Sequence, residues 1–441
     1  MPKPKIPYLY SMNSSLKQYI EEKILPRYDS FDAAHQRDHA LKVIKESAKL
    51  AKHYDVNAEM VYVIAAYHDL GLEVDRETHH IESARIIRED KALQKWFSPK
   101  QIEIMADAAE DHRASNEHEP RSIYGKIIAE ADRGIDGSTI IRRTIQYGLK
   151  HYPTLDKEEH FERFLDHMAN KYAEGGYLKL WIPESPNAAK LKEFQFLLKN
   201  PKTIQQLFNQ EWEMQRIINE IKAYIDPEKA RILPRFFKTG KGEYGEGDRF
   251  MGVTVPNIRK VAKSNKDVSL ELVEKLLQSE WHEVRMCAVL LLVEKFKKQE
   301  NKVLEIYLRN TARINNWDLI DLSAPQIAGR YLLDKSDRSL LYRLAKSESL
   351  WERRIAIVST LTFIRNGQFE DTIAISERLL GDPHDLIHKA TGWMLREMGK
   401  RDLTLLRSFL SKHSGTMPRI TLRYAIEKID EEERKFWMNR R

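Results

Sequence analysis

Asn315-Asn316-Trp317-Asp318-Leu319-Ile320-Asp321 places a large aromatic ring and a carboxylate four residues apart in otherwise apolar helical sequence. At that spacing the two side chains share one helix face. The pattern recurs along the chain. Trp281-His282-Glu283-Val284-Arg285, Trp351-Glu352-Arg353-Arg354-Ile355 and His384-Asp385-Leu386-Ile387-His388 each lead into an apolar helix, at intervals of roughly 35 residues, the length of a two-helix repeat. Stacked repeats of this kind form an α-solenoid with an inner face. A tryptophan at a fixed place in each unit is most simply a packing residue, which is the reading for Trp281 and Trp351. In the repeat register Asp321 falls where other units carry Arg285, Ile355 and His388, with Arg354 one position earlier in its unit. These side chains are therefore expected to converge on one surface. Asp321 would be held ionised there, and the rigid guanidinium fork of Arg354 suits a phosphate oxygen.

Around that region lies a chain of 441 residues, more than one hydrophobic core normally supports, so at least two domains are expected. A 42% hydrophobic fraction, 32% charged residues and few Gly or Pro point to a helix-rich folded protein rather than disorder. The formal charge of +7 is mild; it permits nucleic acid as a partner without demanding it. The single cysteine, Cys287, rules out an intrachain disulfide, sits in an apolar run and agrees with a cytoplasmic location. No secretory signal is expected in Met1 to Tyr10, and the apolar runs are too short for a bilayer span, so no membrane role is expected.

From Leu16 to about Lys199 the pattern is almost wholly helical, with Leu41, Ile44, Ala48 and Ala51 and then Val61, Ile64 and Ala65 at three- and four-residue spacings. The expected class is all-α, a helical bundle followed by the solenoid. The chemistry of the first half lies in spaced His and Asp residues. His39 opens a helix, His68-Asp69 interrupts the end of an apolar helix, and Asp132 closes another. Lone histidines on helices are more often packed or solvated than ligands, but a polar doublet at an apolar helix end costs free energy unless something satisfies it. Two imidazoles and two carboxylates make a mixed nitrogen and oxygen shell suited to Mn, Fe or Mg with positions left for water and phosphate oxygen.

These residues resemble the HD-domain metal-dependent phosphohydrolases, whose signature of a His, a His-Asp doublet and a distant Asp falls on His39, His68, Asp69 and Asp132. The likeness runs from about Ser30 to Arg133. It implies one or two divalent ions, with His80 and His112 at places where some members bring in a second metal. It also implies hydrolysis of a nucleotide or other phosphate ester, the metal activating water and polarising the phosphoryl group. Lys42 and Arg113 lie near ligands and are read as solvated helix charges rather than phosphate contacts. Solvent-facing histidine is likewise the reading for His35 and His118.

A break at Pro183, Pro186 and Asn187 places the boundary between Pro183 and Lys202, giving domains of 1–200 and 201–441. Gly240, Gly242 and Gly245 match G-x-G-x-x-G literally, but no strand precedes them and no parallel-sheet pattern follows, so an ordinary connector is expected.

Beyond that loop the segments YGEGDRFMGVTVPNIRKVAK, NNWDLID, LWERRIAIV, DLIHKATGWMLREMGKRD and MPRITLRYAIEK resemble the HEAT-like-repeat DNA alkylation repair glycosylases, often called the AlkD family. The likeness runs from about Gln210 to the C-terminus. It implies sugar-contacting tryptophans at Trp317 and Trp393, a catalytic carboxylate at Asp321 and a backbone-gripping arginine at Arg354. The implied reaction is excision of purines alkylated on a ring nitrogen from double-stranded DNA, without a cofactor. Such a base is cationic and leaves readily, so the protein's task is to stabilise the oxocarbenium-like sugar. Lys389, Arg396, Lys400, Arg401, Arg419 and Arg423 are candidate phosphate contacts, although exposed helix faces are normally charged. The competing expectation is a non-catalytic helical-repeat module that recruits the phosphohydrolase to nucleic acid or protein. A carboxylate beside phosphates at Asp321, and the indole of Trp393, argue for catalysis over mere binding.

Overall fold

A computed structural model describes residues 12–31, 37–116 and 118–440, of Ser30 the backbone only. His35 lies outside the described residues. Helices make up the chain; among the described residues there is no strand, and one isolated bridge pairs Arg249 with Trp281. No described helix is long and apolar enough to cross a membrane. The chain forms two compact units, Met1–Trp212 and Glu213–Arg441, the division falling beyond the Pro183–Lys202 stretch.

The first unit has two apolar cores. One surrounds the helix Ala58–Tyr67, whose residues from Met60 to Tyr67 are all buried. Asn57 starts this helix by accepting from the amides of Glu59 and Met60, a cap worth about 1 kcal/mol. Helices Arg37–Leu50, Pro99–Glu110 and Ile123–Asp132 pack on it. The face that Arg37–Leu50 buries is Ala40, Val43, Ile44, Ser47 and Ala48; Leu41, expected on the apolar stripe, is exposed. The other core gathers Ile140, Ile145, Phe164, Phe194 and Phe208 between the helices Gly137–His151, Lys157–Tyr172, Asn187–Leu198 and the start of Pro201–Lys222.

The second unit is a two-layer stack around a single core. All four sequence repeats begin helices of one row: His282–Phe296, Trp317–Ser323, Leu350–Arg365 and Asp385–Gly399, each packed on the next. The first and third members are buried nearly all round, as at Val284 to Leu292 and Arg354 to Ile364. Trp351 lies in the core and Trp281 packs against it, as expected of packing residues. Helix Trp317–Ser323 is short because Pro325 cannot donate to the carbonyl of Asp321. The chain widens there into a single π-type turn, Pro325–Gly329, whose carbonyl at Pro325 accepts from Thr362 Oγ1 at 2.6 Å.

Loop 239–248 satisfies its own amides. Gly240 N donates to Glu243 Oε2 and Gly242 N to Glu246 Oε2, each at 2.9 Å, so its glycines offer no free nest for phosphate. Beyond it Glu283 accepts from the amides of Met251, Gly252 and Val253. Gly252 has φ +86°, and a Cβ there would lie 2.2 Å from the Asp226 carbonyl, so this position requires glycine.

Candidate functional sites

In the first unit, three helix ends bring His39, His68, Asp69 and Asp132 together. His39 Nε2 lies 3.4 Å from Asp69 Oδ2 and 3.2 Å from Asp132 Oδ1, and His68 Nε2 lies 3.2 Å from Asp69 Oδ2. The other oxygen of Asp69, Oδ1, faces His112 Nε2 at 3.4 Å and His79 Nε2 at 3.7 Å. Asp69 therefore joins two donor groups, His39-His68-Asp69 and Asp69-His79-His112.

His79, not His80, completes the second group. The two are neighbours at the start of helix His79–Glu89, where one residue turns a side chain by about 100°. His80 faces away, its Nδ1 buried without a partner, and burial followed by Arg113 drives its pKa down to about 4. Gly71 sets this geometry. A Cβ there would stand 2.0 Å from the His79 carbonyl, so only glycine lets the turn after Asp69 press against the helix that carries His79.

Backbone carbonyls orient three of the imidazoles. His68 Nδ1, His79 Nδ1 and His112 Nδ1 lie 2.9, 2.8 and 2.5 Å from the carbonyls of Ala65, Arg76 and Ala109. Only a protonated nitrogen donates to a carbonyl, so each neutral ring turns a lone pair at Nε2 into the cluster. The ring nitrogens crowd one another: His39 and His68 Nε2 are 3.3 Å apart, as are His79 and His112 Nε2, the last two both as lone pairs in these tautomers. Such an array calls for positive charge at its centre. Burial alone would raise the Asp69 carboxyl, yet His68, His112 and His39 hold it well below the usual range. Asp132 is depressed in the same way, chiefly by His39 against burial. Burial lowers His39, but its hydrogen bonds to Asp132 and Asp69 prevail and lift it to about 9. Donor types, tautomers and charge all fit one or two divalent cations.

The cluster forms one side of a cavity of about 870 Å³ within the first unit. Lys42 and Arg113, expected as plain solvated charges, both line it, and Arg113 also donates to the Glu77 carbonyl. His118 is exposed and does not line it. The far wall, with Arg143, Arg163, His167 and Lys171, carried no motif to reveal it.

In the second unit, Asp321 Oδ1 accepts from Arg354 Nε and Oδ2 from Arg354 Nη2, both at 2.9 Å. Asp321 lines a cavity of about 330 Å³ with Trp393, Arg259, Gln326 and Arg365. Burial pushes the Asp321 carboxyl upward and Arg354 opposes it, so the environment does not simply favour the ion as expected. Trp317 does not line this cavity. Its ring stacks on Phe237, centroids 5.4 Å apart, and meets Phe236 edge-on.

The wider convergence expected from the repeat register is absent. Arg285 binds Asp248 at 2.6 Å, His388 Nε2 binds the Asp382 carbonyl at 2.5 Å, and Ile355 is core. Of the candidate phosphate contacts, Arg396 is tied to Glu427 and Arg419 donates to the Met438 carbonyl at 2.6 Å. Lys389 and Arg423 have no ion-pair partner among the described residues, and Arg423 is exposed.

The fold and sites thus define an all-α chain joining a bundle with a histidine and carboxylate centre to a stack of helical repeats. Residues 37–134 match the HD domain and residues 217–429 match the DNA alkylation repair enzyme family, so each unit carries the match to one of the two. A solved structure described as a predicted DNA alkylation repair enzyme from Enterococcus faecalis aligns with 47% of this chain and 97% of its own, at 15% identity and a TM-score of 0.39. No curated protein matches the chain.

Proposed function

We propose that the second unit is a DNA glycosylase that removes purines alkylated on a ring nitrogen, and that the first is a metal-dependent phosphohydrolase acting on a nucleotide or other phosphate ester. The observation that carries the glycosylase reading is the placement of Asp321 in one cavity with Trp393 while Arg354 holds its orientation. The family match supports it. A cationic base needs little protonation to depart; the barrier lies in the charge that develops on the deoxyribose. Asp321 stabilises that charge and can accept a proton from the attacking water, while Trp393 excludes bulk water from the sugar. Arg354 engages both oxygens of Asp321, which favours the alternative of a binding-only module. Each carboxylate oxygen has about two acceptor sites, however, so the pair leaves Asp321 capacity for water. Incubating the full chain with DNA that contains an alkylated purine, and comparing wild type with Asp321→Asn for free base, separates the two readings.

In the first unit His39, His68, Asp69 and Asp132 would hold one ion and Asp69, His79 and His112 a second. Bound divalent ions supply polarisation of the phosphoryl oxygens and acidify water. The protein's own contribution is to orient the ligands through the Ala65, Arg76 and Ala109 carbonyls and to offer Lys42 and Arg113 to phosphate charge. Turnover of a panel of phosphate esters by the full chain with Mn, lost in His68→Ala, tests this reading.

A further inference from the structure

Arg143, Arg163, His167 and Lys171 line the 870 Å³ cavity without belonging to either donor group of the histidine centre. Arg163, His167 and Lys171 stand four residues apart in turn on helix Lys157–Tyr172, and all three line the cavity. Arg163 and Lys171 flank His167, whose pKa burial and then these two cations push down, so the face carries two like charges with an uncharged imidazole between them. No carboxylate among the described residues pairs with them. Arg163 donates to the Thr144 carbonyl at 2.6 Å and leaves Nε buried without a partner. Arg133, buried at the same cavity, likewise has an unpartnered Nε and spends Nη1 on the Lys179 carbonyl. From the facing helix, Gly137–His151, Arg143 adds a further cation without an ion-pair partner among the described residues. Asp136, a carboxylate on that side, is engaged as the cap of this same helix.

Charge balance shows what is missing. Two divalent ions set against Asp69 and Asp132 would already match one phosphoryl dianion. Half-buried Arg163 and Lys171 then have no carboxylate in an ion pair among the described residues and lie instead over the rings of Tyr152 and of Tyr172 and Tyr177, although partly buried arginines and lysines are normally paired. A cavity of this size also exceeds what a lone phosphate fills and lies in the range of whole-ligand sites.

We propose that Arg143, Arg163, His167 and Lys171 form a second anion subsite, and that the substrate carries a chain of two or more phosphoryl groups, as nucleoside di- and triphosphates do. One phosphoryl group lies at the histidine centre and the next ones reach this wall. The inference rests on the phosphohydrolase reading for the identity of the first phosphoryl group.

Calorimetric titration of the full-length, EDTA-treated protein with inorganic tripolyphosphate and with inorganic phosphate tests the subsite without relying on turnover. Tripolyphosphate is expected to bind at least about tenfold more tightly than phosphate, each charge-assisted contact contributing on that scale. Arg143→Gln and Lys171→Met should each remove most of that preference. Arg143 is exposed, so its substitution leaves the fold intact. Equal affinity for the two anions in wild type, or an unchanged preference in both variants, overturns the proposal. Tripolyphosphate binding that depends on Arg143 and Lys171, with no phosphate ester turned over under any metal, would preserve the subsite and remove the hydrolase reading. Hydrolysis of monophosphates alone, insensitive to both substitutions, would do the reverse.

Discussion

Arg354 grips Asp321 with both arms of its guanidinium, Nε to Oδ1 and Nη2 to Oδ2 at 2.9 Å each, while its Nη1 donates to the Leu386 carbonyl at 2.6 Å. The arginine therefore couples the carboxylate to two neighbouring repeats. Removing it strands a largely buried charge. Arg354→Ala is expected to destabilise the second unit by about 3 to 5 kcal/mol, read as a lower urea midpoint. Asp321→Asn leaves the buried Arg354 guanidinium without its anion and should lower the midpoint as well.

His282 is wedged between Asp248 and Asp318, 2.9 Å from each. Burial would lower its pKa, but the two carboxylates raise it to about 9. The folded value lies above the unfolded 6.5, so the stabilisation is full below pH 6.5 and is lost as pH rises through about 9. The shift corresponds to a stabilisation on the order of 3 kcal/mol. Chemical denaturation of His282→Gln against wild type should show that gap at about pH 6 and almost none above about pH 10.

The division of labour between adjacent histidines is open to metal analysis. Reconstituted wild type is expected to hold about two divalent ions per chain, His79→Ala about one, and His80→Ala as many as wild type. Inductively coupled plasma measurements on dialysed protein decide it. Equal loss in both variants would contradict the assignment of His79.

DNA affinity should fall steeply with salt. Lys389→Ala and Arg423→Ala are each expected to reduce the slope of log affinity against log salt by about one if they touch phosphate. Arg396→Gln should leave it unchanged, because that side chain is committed to Glu427. Fluorescence anisotropy across a salt series measures all three.

What the sequence revealed of fold and site depended on what each residue's placement required. Helical periodicity and the repeat marked the second unit's helices, because the tryptophan positions open successive members of one row. The metal candidates His39, His68, Asp69 and Asp132 were legible because polar groups at the ends of apolar helices are costly to bury unless a ligand or partner satisfies them. The choice of His79 over His80 was not, since it depends on helix phase set by the close approach at Gly71. Arg285 and Arg354 stand one position apart in the repeat register, yet one pairs with Asp248 and the other with Asp321; the bonds of Arg285 to two preceding carbonyls and a carboxylate recur instead at Arg353. The cavity wall of Arg163, His167 and Lys171 lies outside the matched HD segment and becomes a site only when two helices pack across from the histidines.

The most direct measurement is single-turnover release of a ring-nitrogen-alkylated purine from duplex DNA by the full chain. The account predicts release by wild type and a rate for Asp321→Asn lower by about 10- to 1,000-fold with DNA affinity retained. Release at the wild-type rate by Asp321→Asn, or DNA binding without release by either protein, would contradict it.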